Sequence, residues 1–213
     1  MAAAVEALNT VVFMGSARNS APPWGQPILR LGTRVLKFVV DSLQAERPGV
    51  KHNVTVLDPL ELQLPVLERP HFFYKPGEAP EHLDKIAQQI AAADCYVFVS
   101  AEYNHCIPPA LANMLDYFGG SKYAFKCSGI VTYSSGQWGG MRAAMNLRAM
   151  TGELGCISVS NLVGVPNAAS EFGEDGTPVD KAKWDKMLGR MLSQLEWTAV
   201  ALKNHRAKVP PPS

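Results

Sequence analysis

The chain predicts one α/β domain, with five parallel strands in the order 2-1-3-4-5 and helices on both faces of the sheet. Three observations carry this expectation. Short β-rich apolar runs alternate with segments of helical periodicity. One of those runs, 94–100 (DCYVFVS), is a continuous apolar strand, as a strand covered on both faces must be. No internal repeat and no linker divides the 213 residues, a length suited to one domain with a sizeable core.

The first strand is expected at 10–15 (TVVFMG), behind an N-terminal extension of residues 1–9. Helical spacing follows over 29–44, with Leu31, Val35, Leu36, Val39 and Leu43 on one face. Residues 52–57 alternate as a second strand, which carries the sequon Asn53-Val54-Thr55. A proline-rich loop is expected over 58–80, then a helix over 81–92 with Leu83, Ile86, Ala87 and Ile90 inward. The third strand is 94–100. The helix 109–118 starts at Pro109, a residue favoured in a first turn. Strand 127–133, helix 140–154, strand 156–163 and a long helix 181–202 complete the alternation. Domain limits of 10–206 follow, with 207–213 (VPPPS at its end) as a disordered tail. Alternating buried strands and helices imply βαβ units. Five strands and about five helices in this length give a flavodoxin-like arrangement.

Composition removes several classes of function. Apolar residues make up 47% and charged residues 18%, so the chain is neither disordered nor supercharged. The formal net charge of +1 argues against nucleic acid or an anionic membrane surface as partner, and against a strongly acidic electron carrier. No apolar run reaches membrane-spanning length, and no Lys or Arg precedes Arg18 as a signal or transit peptide would require. Cys95, Cys106, Cys127 and Cys156 form no CxxC pair, which argues against zinc and disulfide-exchange chemistry, and no metal site is expected. A reducing, cytoplasmic compartment is the expectation.

Ligands of such sheets bind beyond the carboxyl ends of the strands, beside the switch in strand order. After strand one comes Gly15-Ser16-Ala17-Arg18-Asn19-Ser20. It offers a turn glycine, hydroxyl and amide donors, one fixed cation and a helix start, which together suit a phosphate. It matches neither GxGxxG nor GxxxxGK[ST], and an ordinary polar turn would carry the same residues. Asp58 ends strand two, where a ribose-binding acid would sit; without the glycine fingerprint it reads as a turn residue. After strand three, Glu102-Tyr103-Asn104-His105-Cys106 leads into Ile107-Pro108-Pro109, and could present backbone N–H groups and an aromatic wall to a flat ring. After strand four, Ser134-Ser135-Gly136-Gln137-Trp138-Gly139-Gly140 holds three glycines that would let backbone approach a ligand. One loop suits a phosphate and two suit a planar heterocycle. FMN has both parts.

These same residues resemble the NADPH-dependent FMN reductase family, which includes quinone, chromate and azo-dye reductases. The resemblance rests on Gly15–Ser20, on Glu102-Tyr103-Asn104 with Pro108, Asn113, Asp116 and Tyr117, and on Tyr133–Gly136 with Gly139-Gly140. It runs from about Val11 to the final helix. It implies tightly held FMN, NADPH or NADH as reductant, and a homodimer or homotetramer. Carried onto this chain, Ser16, Arg18 and Ser20 would hold the phosphate. Glu102, Tyr103 and Asn104 would line the isoalloxazine, and Ser135, Gly136, Gly139 and Gly140 its pyrimidine end. Two departures stand out. Ala101 replaces the usual proline before Glu-Tyr-Asn, and residues 21–27 (APPWGQP) elaborate the phosphate loop.

The expected activity is transfer of two electrons from NADPH through FMN to a quinone, azo dye, metal oxyanion or free flavin, in a ping-pong scheme. The flavin then carries the chemistry and no catalytic side chain is required. His71, Phe72, Phe73 and Tyr74 could wall an acceptor pocket, or simply pack their loop onto the domain. Arg142 and Arg148 could meet a 2′-phosphate, or lie on a solvated helix face. A non-catalytic flavin-binding redox sensor or electron-transfer partner is the alternative with the same fold. A serine hydrolase built from Ser100, Ser134 or Ser135 with His105 and Asp116 lacks the GxSxG elbow. Cys106 reads as a partly buried loop thiol, and His52 and His82 read as surface residues. Leu111, Met114, Leu115 and Phe118, with Met141, Met145, Leu147 and Met150, offer apolar surface for a subunit contact.

Overall fold

The computed structural model describes residues 6–18, 20–21, 26–27 and 30–212, with backbone alone at 20–21 and 26–27. Five parallel strands, β1 (Glu6–Met14), β2 (Val50–Leu57), β3 (Cys95–Ala101), β4 (Cys127–Tyr133) and β5 (Ile157–Val165), form one sheet in the order β2-β1-β3-β4-β5. The predicted 2-1-3-4-5 order is therefore observed. The cause is visible in burial. Every residue of β3 and β4 is buried, whereas the edge strands β2 and β5 mix buried and open positions.

Five helices cover the sheet. α1 (Leu31–Gln44) and α5 (Lys181–Arg206) pack on one face through Val35, Val39, Trp184, Leu188 and Leu192. α2 (Glu81–Ala92), α3 (Pro109–Asp116) and α4 (Met141–Glu153) pack on the other through Ile86, Ile90, Leu111, Leu115 and Leu147. A two-stranded antiparallel pair, Ser20–Ala21 with Gln26–Pro27, interrupts the passage from β1 to α1.

Several expectations need correction. β1 begins at Glu6, so residues 6–9, read as extension, belong to the sheet: Glu6 to Asn9 pair in register with Val50 to Asn53. β5 runs on to Val165, and its register shifts where Ser128 and Ile130 face Ser158 and Leu162. The loop 58–80 contains a helical turn at Pro59–Leu62 and a 3-10 turn at His71–Phe73. His52 is buried rather than at the surface. Its Nδ1 lies 2.8 Å from the Thr10 hydroxyl and its Nε2 3.2 Å from Glu196 of α5, which Arg47 pairs from the other side. His82 is exposed, as read, and so is Cys106, which was expected to be partly buried. Leu111, Met114, Leu115 and Phe118 are core residues, so the surface of α3 offers none of them to a subunit contact.

Candidate functional site

The loops that follow β1, β3 and β4 meet at the carboxyl edge of the sheet. Gly15 continues β1, donating its N–H to Val99 O at 2.8 Å. Its role is close approach rather than turn formation. A Cβ there would stand 3.0 Å from Ser100 Cα and 3.1 Å from a Leu111 methyl group. Ser16 is buried, and its hydroxyl lies 2.6 Å from that of Tyr103. The Arg18 guanidinium stacks 4.3 Å over the Tyr103 ring and is otherwise exposed. Loops one and two are thus joined by both a hydroxyl pair and a cation–aromatic contact. The side chain of Ser20 and most of the elaboration 21–27 lie outside the described residues.

The second loop is a two-residue hairpin. Tyr103 and Cys106 exchange both backbone hydrogen bonds at 2.9 Å, and Asn104 and His105 between them have φ of 51° and 63°. Two left-handed residues in sequence define a type I′ turn, which asparagine tolerates well. Pro108 and Pro109 then start α3. The Glu102 carboxylate turns back to α4, accepting the N–H groups of Arg142 at 3.0 Å and Ala143 at 3.2 Å and pairing with the Arg142 guanidinium at 3.1 Å. Burial pushes this carboxyl up. The Ala143 and Arg142 donors outweigh burial and hold it below the usual carboxylate range.

The third loop corrects the reading of its glycines. Gly139 and Gly140 have φ of 61° and 76°, and added Cβ atoms would strike Gly164–Pro166 backbone and Thr132 Cβ respectively. Their tight packing is against the protein's own strands. Ser134 closes the loop on itself, donating to Gly136 O and accepting from Gly139 N. Ser135, Gly136 and Trp138 are exposed at the rim. Below them the Tyr133 hydroxyl is buried and has no partner among the described residues. A Cβ on Gly32, in the first turn of α1, would overlap it.

Arg18, Glu102, Tyr103, Asn104, Cys106, Ile107 and Pro109 line a groove of about 580 Å³. The structure brings Ser16, Arg18, Glu102, Tyr103 and Asn104 together. Ser135, Gly136, Gly139 and Gly140 stand on the neighbouring loop and do not line that groove. His71, Phe72, Phe73 and Tyr74 do not line it either. The His71 ring Nε2 lies 2.8 Å from Asp84 Oδ1 and its backbone N–H donates to Tyr117 O, while Tyr74 is stacked by Arg69 and lines a separate groove of about 410 Å³. Phe72 and Phe73 are left exposed. A concavity of about 590 Å³ between α1 and α5 is lined by charges already paired with each other, Lys37 with Asp41 and Lys181 with Asp185.

One residue at this edge, Arg30, was missed. Asp58, read as a turn residue, caps the turn at 59–62 through Leu60 N and forms a buried two-pronged pair with Arg30. Arg30 also donates to Ser16 O at 2.5 Å. The available signal was that Arg30 is the single charged residue between Arg18 and Arg34. Arg148 is no free cation for a phosphate, since it donates to the carbonyls of Val159 and Ser160 on β5.

The sequence matches the family described as NADPH-dependent FMN reductase over residues 8–170. Among solved structures it is similar to the flavoenzyme NAD(P)H:(acceptor) oxidoreductase FerB from Paracoccus denitrificans, at 16% identity and TM-score 0.67, covering 90% of this chain and 97% of that one. An oxidoreductase from Corynebacterium diphtheriae superposes with TM-score 0.64 at 13% identity, covering 91% and 98%. A flavodoxin from Pseudomonas aeruginosa does so with TM-score 0.52 at 13% identity, covering 89% and 99%. At these identities the structural likeness speaks to the fold alone.

Proposed function

Because this chain belongs to the NADPH-dependent FMN reductase family, an FMN-dependent family of NAD(P)H oxidoreductases, we propose that its FMN site is the carboxyl-edge groove and that electrons leave it for a small organic or inorganic acceptor. The observation that carries this reading is the junction of the first two loops. A buried serine, an exposed guanidinium and a tyrosine are locked together where a helix start and a switch in strand order coincide.

The residues present fit the cofactor. The donors at the phosphate end are Ser16, the exposed Arg18 guanidinium and loop N–H groups. Ser20 belongs to the same set by position. Glu102, Tyr103 and Asn104 would face the ring mainly through backbone, since the Glu102 carboxylate is engaged by α4. Ser135, Gly136, Gly139 and Gly140 would close the far end of the ring. FMN bound there supplies the hydride-accepting and electron-donating chemistry. The protein's part is to hold it, orient it and keep one ring face open. Exposed Phe72 and Phe73 are available as an acceptor wall across a subunit contact, and exposed Met141 and Met145 of α4 as part of that contact in a homodimer or homotetramer.

The test is spectral and kinetic. The purified protein with FMN should show oxidised-flavin absorption that bleaches on anaerobic addition of NADPH and returns with a quinone. Initial rates at varied NADPH and quinone should give parallel double-reciprocal lines. Intersecting lines would refute the ping-pong order. Failure to bind FMN would refute the site.

A further inference from the structure

We propose that Arg30 is a positioning residue for the phosphate end of the flavin site, acting through the Ser16 peptide. This rests on the reading that the FMN phosphate lies on the 15–18 loop. The Arg30 side chain is 10% exposed and that of Asp58 5%. The guanidinium grips both Asp58 oxygens, and Nη1 reaches the Ser16 carbonyl as well. Asp58 is itself fixed by its bond to Leu60 N, at the end of β2. One side chain therefore ties β2, the start of α1 and the loop after β1 together.

Burying two charges is a weak source of net stability, and an apolar pair of similar volume would serve as well or better. What an apolar pair cannot do is set the direction of a carbonyl. The peptide is planar and trans, so holding the Ser16 C=O on Arg30 turns the Ala17 N–H to the opposite side. That N–H has no acceptor among the described residues. The loop is thus held with that N–H directed away from Arg30, pre-set to meet an anion before any anion arrives. Arg30 itself is a poor phosphate ligand, because Asp58 cancels its charge and its Nη atoms already have acceptors.

The test compares two flavins that differ only in the phosphate. Flavin-free protein is titrated with FMN and with riboflavin, following quenching of flavin fluorescence. The variant Arg30→Met/Asp58→Asn removes both charges together and keeps an acceptor for Leu60 N. It should raise the Kd for FMN by about ten-fold, the size of one hydrogen bond to a charged group, and change that for riboflavin by less than about two-fold. Arg30→Lys keeps a cation against Asp58 without the fork that also reaches Ser16. It should show the same FMN-selective loss, and it serves if the double variant does not fold. Equal weakening of both flavins would mean that Arg30 is merely structural. Unchanged binding of both would overturn the proposal, with the flavin site left standing. A wild-type chain that binds neither flavin would overturn the site itself.

Discussion

The Glu102 carboxylate is the sharpest place to test how this edge is built. It lies on the loop after β3 yet caps the first turn of α4, where Gly140 offers no side chain. Replacing it in Glu102→Gln keeps one acceptor oxygen and removes the charge. The loss combines the anion–dipole contribution at a helix start, about 0.3–1 kcal/mol, with the weakening of two charge-assisted bonds, about 1 kcal/mol together. The Arg142 guanidinium adds little, because that side chain is 39% exposed. The sum is about 2 kcal/mol, or about 4–8 °C in Tm for a chain of this size. The pH dependence follows from the sign of the shift. The folded pKa lies below the unfolded one, so the contribution is complete above the unfolded value and is lost as pH falls through the folded one. The gap between wild type and Glu102→Gln should be full at pH 7, narrow below about pH 4.3 and close in stronger acid. Thermal melts of flavin-free protein at a series of pH values measure it. A gap that is absent at pH 7, or constant into acid, would refute the capping role.

Three further outcomes are expected. Arg18→Ala should weaken FMN binding by about ten-fold or more while moving the Tm of the flavin-free protein by less than about 3 °C; unchanged FMN affinity would remove Arg18 from the phosphate site. Gly140→Ala places a Cβ 2.8 Å from that of Thr132 at a φ of 76°, and should cost about 2–3 kcal/mol in urea unfolding. Gly136→Ala, with nothing within 4 Å, should be close to neutral. Lys126 donates to the Ile90, Ala91 and Lys122 carbonyls, and burial pushes its pKa down to about 8. The unfolded chain then binds more protons between that value and about 10.4. The wild type should therefore gain stability over Lys126→Met as pH rises from 8 to 10, by up to about 3 kcal/mol; a gap that stays flat over that range would refute it.

The fold was legible because its signals are local. The run CYVFVSA is apolar on both faces over Cys95–Val99, and only a covered central strand accommodates that. Helix 81–92 was readable to the residue from its periodicity. What was not legible depends on partners far along the chain. His52 sits in an alternating strand and reads as outward, yet its partner Glu196 comes from the last helix. Gly139 and Gly140 look like glycines awaiting a ligand, and only the path of β4 and the end of β5 show that they are needed for packing. The apolar face of α3 could not be divided between core and surface without knowing that the sheet absorbs all of it. The motif marks Glu102, while the work of its carboxylate on α4 lies 40 residues away.

The same partner bookkeeping sets the charge pattern of the site and, with it, an expectation about the reductant. Arg30 is cancelled by Asp58, Arg142 faces Glu102, Arg148 holds β5 carbonyls, and Arg34 holds the Phe172 carbonyl near Glu174. Residues 19–29 contain no Lys or Arg. Among the described guanidiniums at this edge, Arg18 is the one held by neither a carboxylate nor a backbone carbonyl, and it stands at the phosphate end of the proposed site. The ring end is close to neutral, because Glu102 answers the positive end of α4. That polarity suits FMN, which is anionic at one end and uncharged at the other. It leaves no second free guanidinium to recognise a 2′-phosphate on the reductant. One charged contact discriminates by about 10- to 100-fold. Without one, kcat/KM for NADPH and NADH should differ by less than about ten-fold. Steady-state rates with each at one quinone concentration measure the ratio. A preference of about 100-fold or more would show that Arg142 or Arg148 exchanges its present partner for the nucleotide, and would refute the charge pattern argued here.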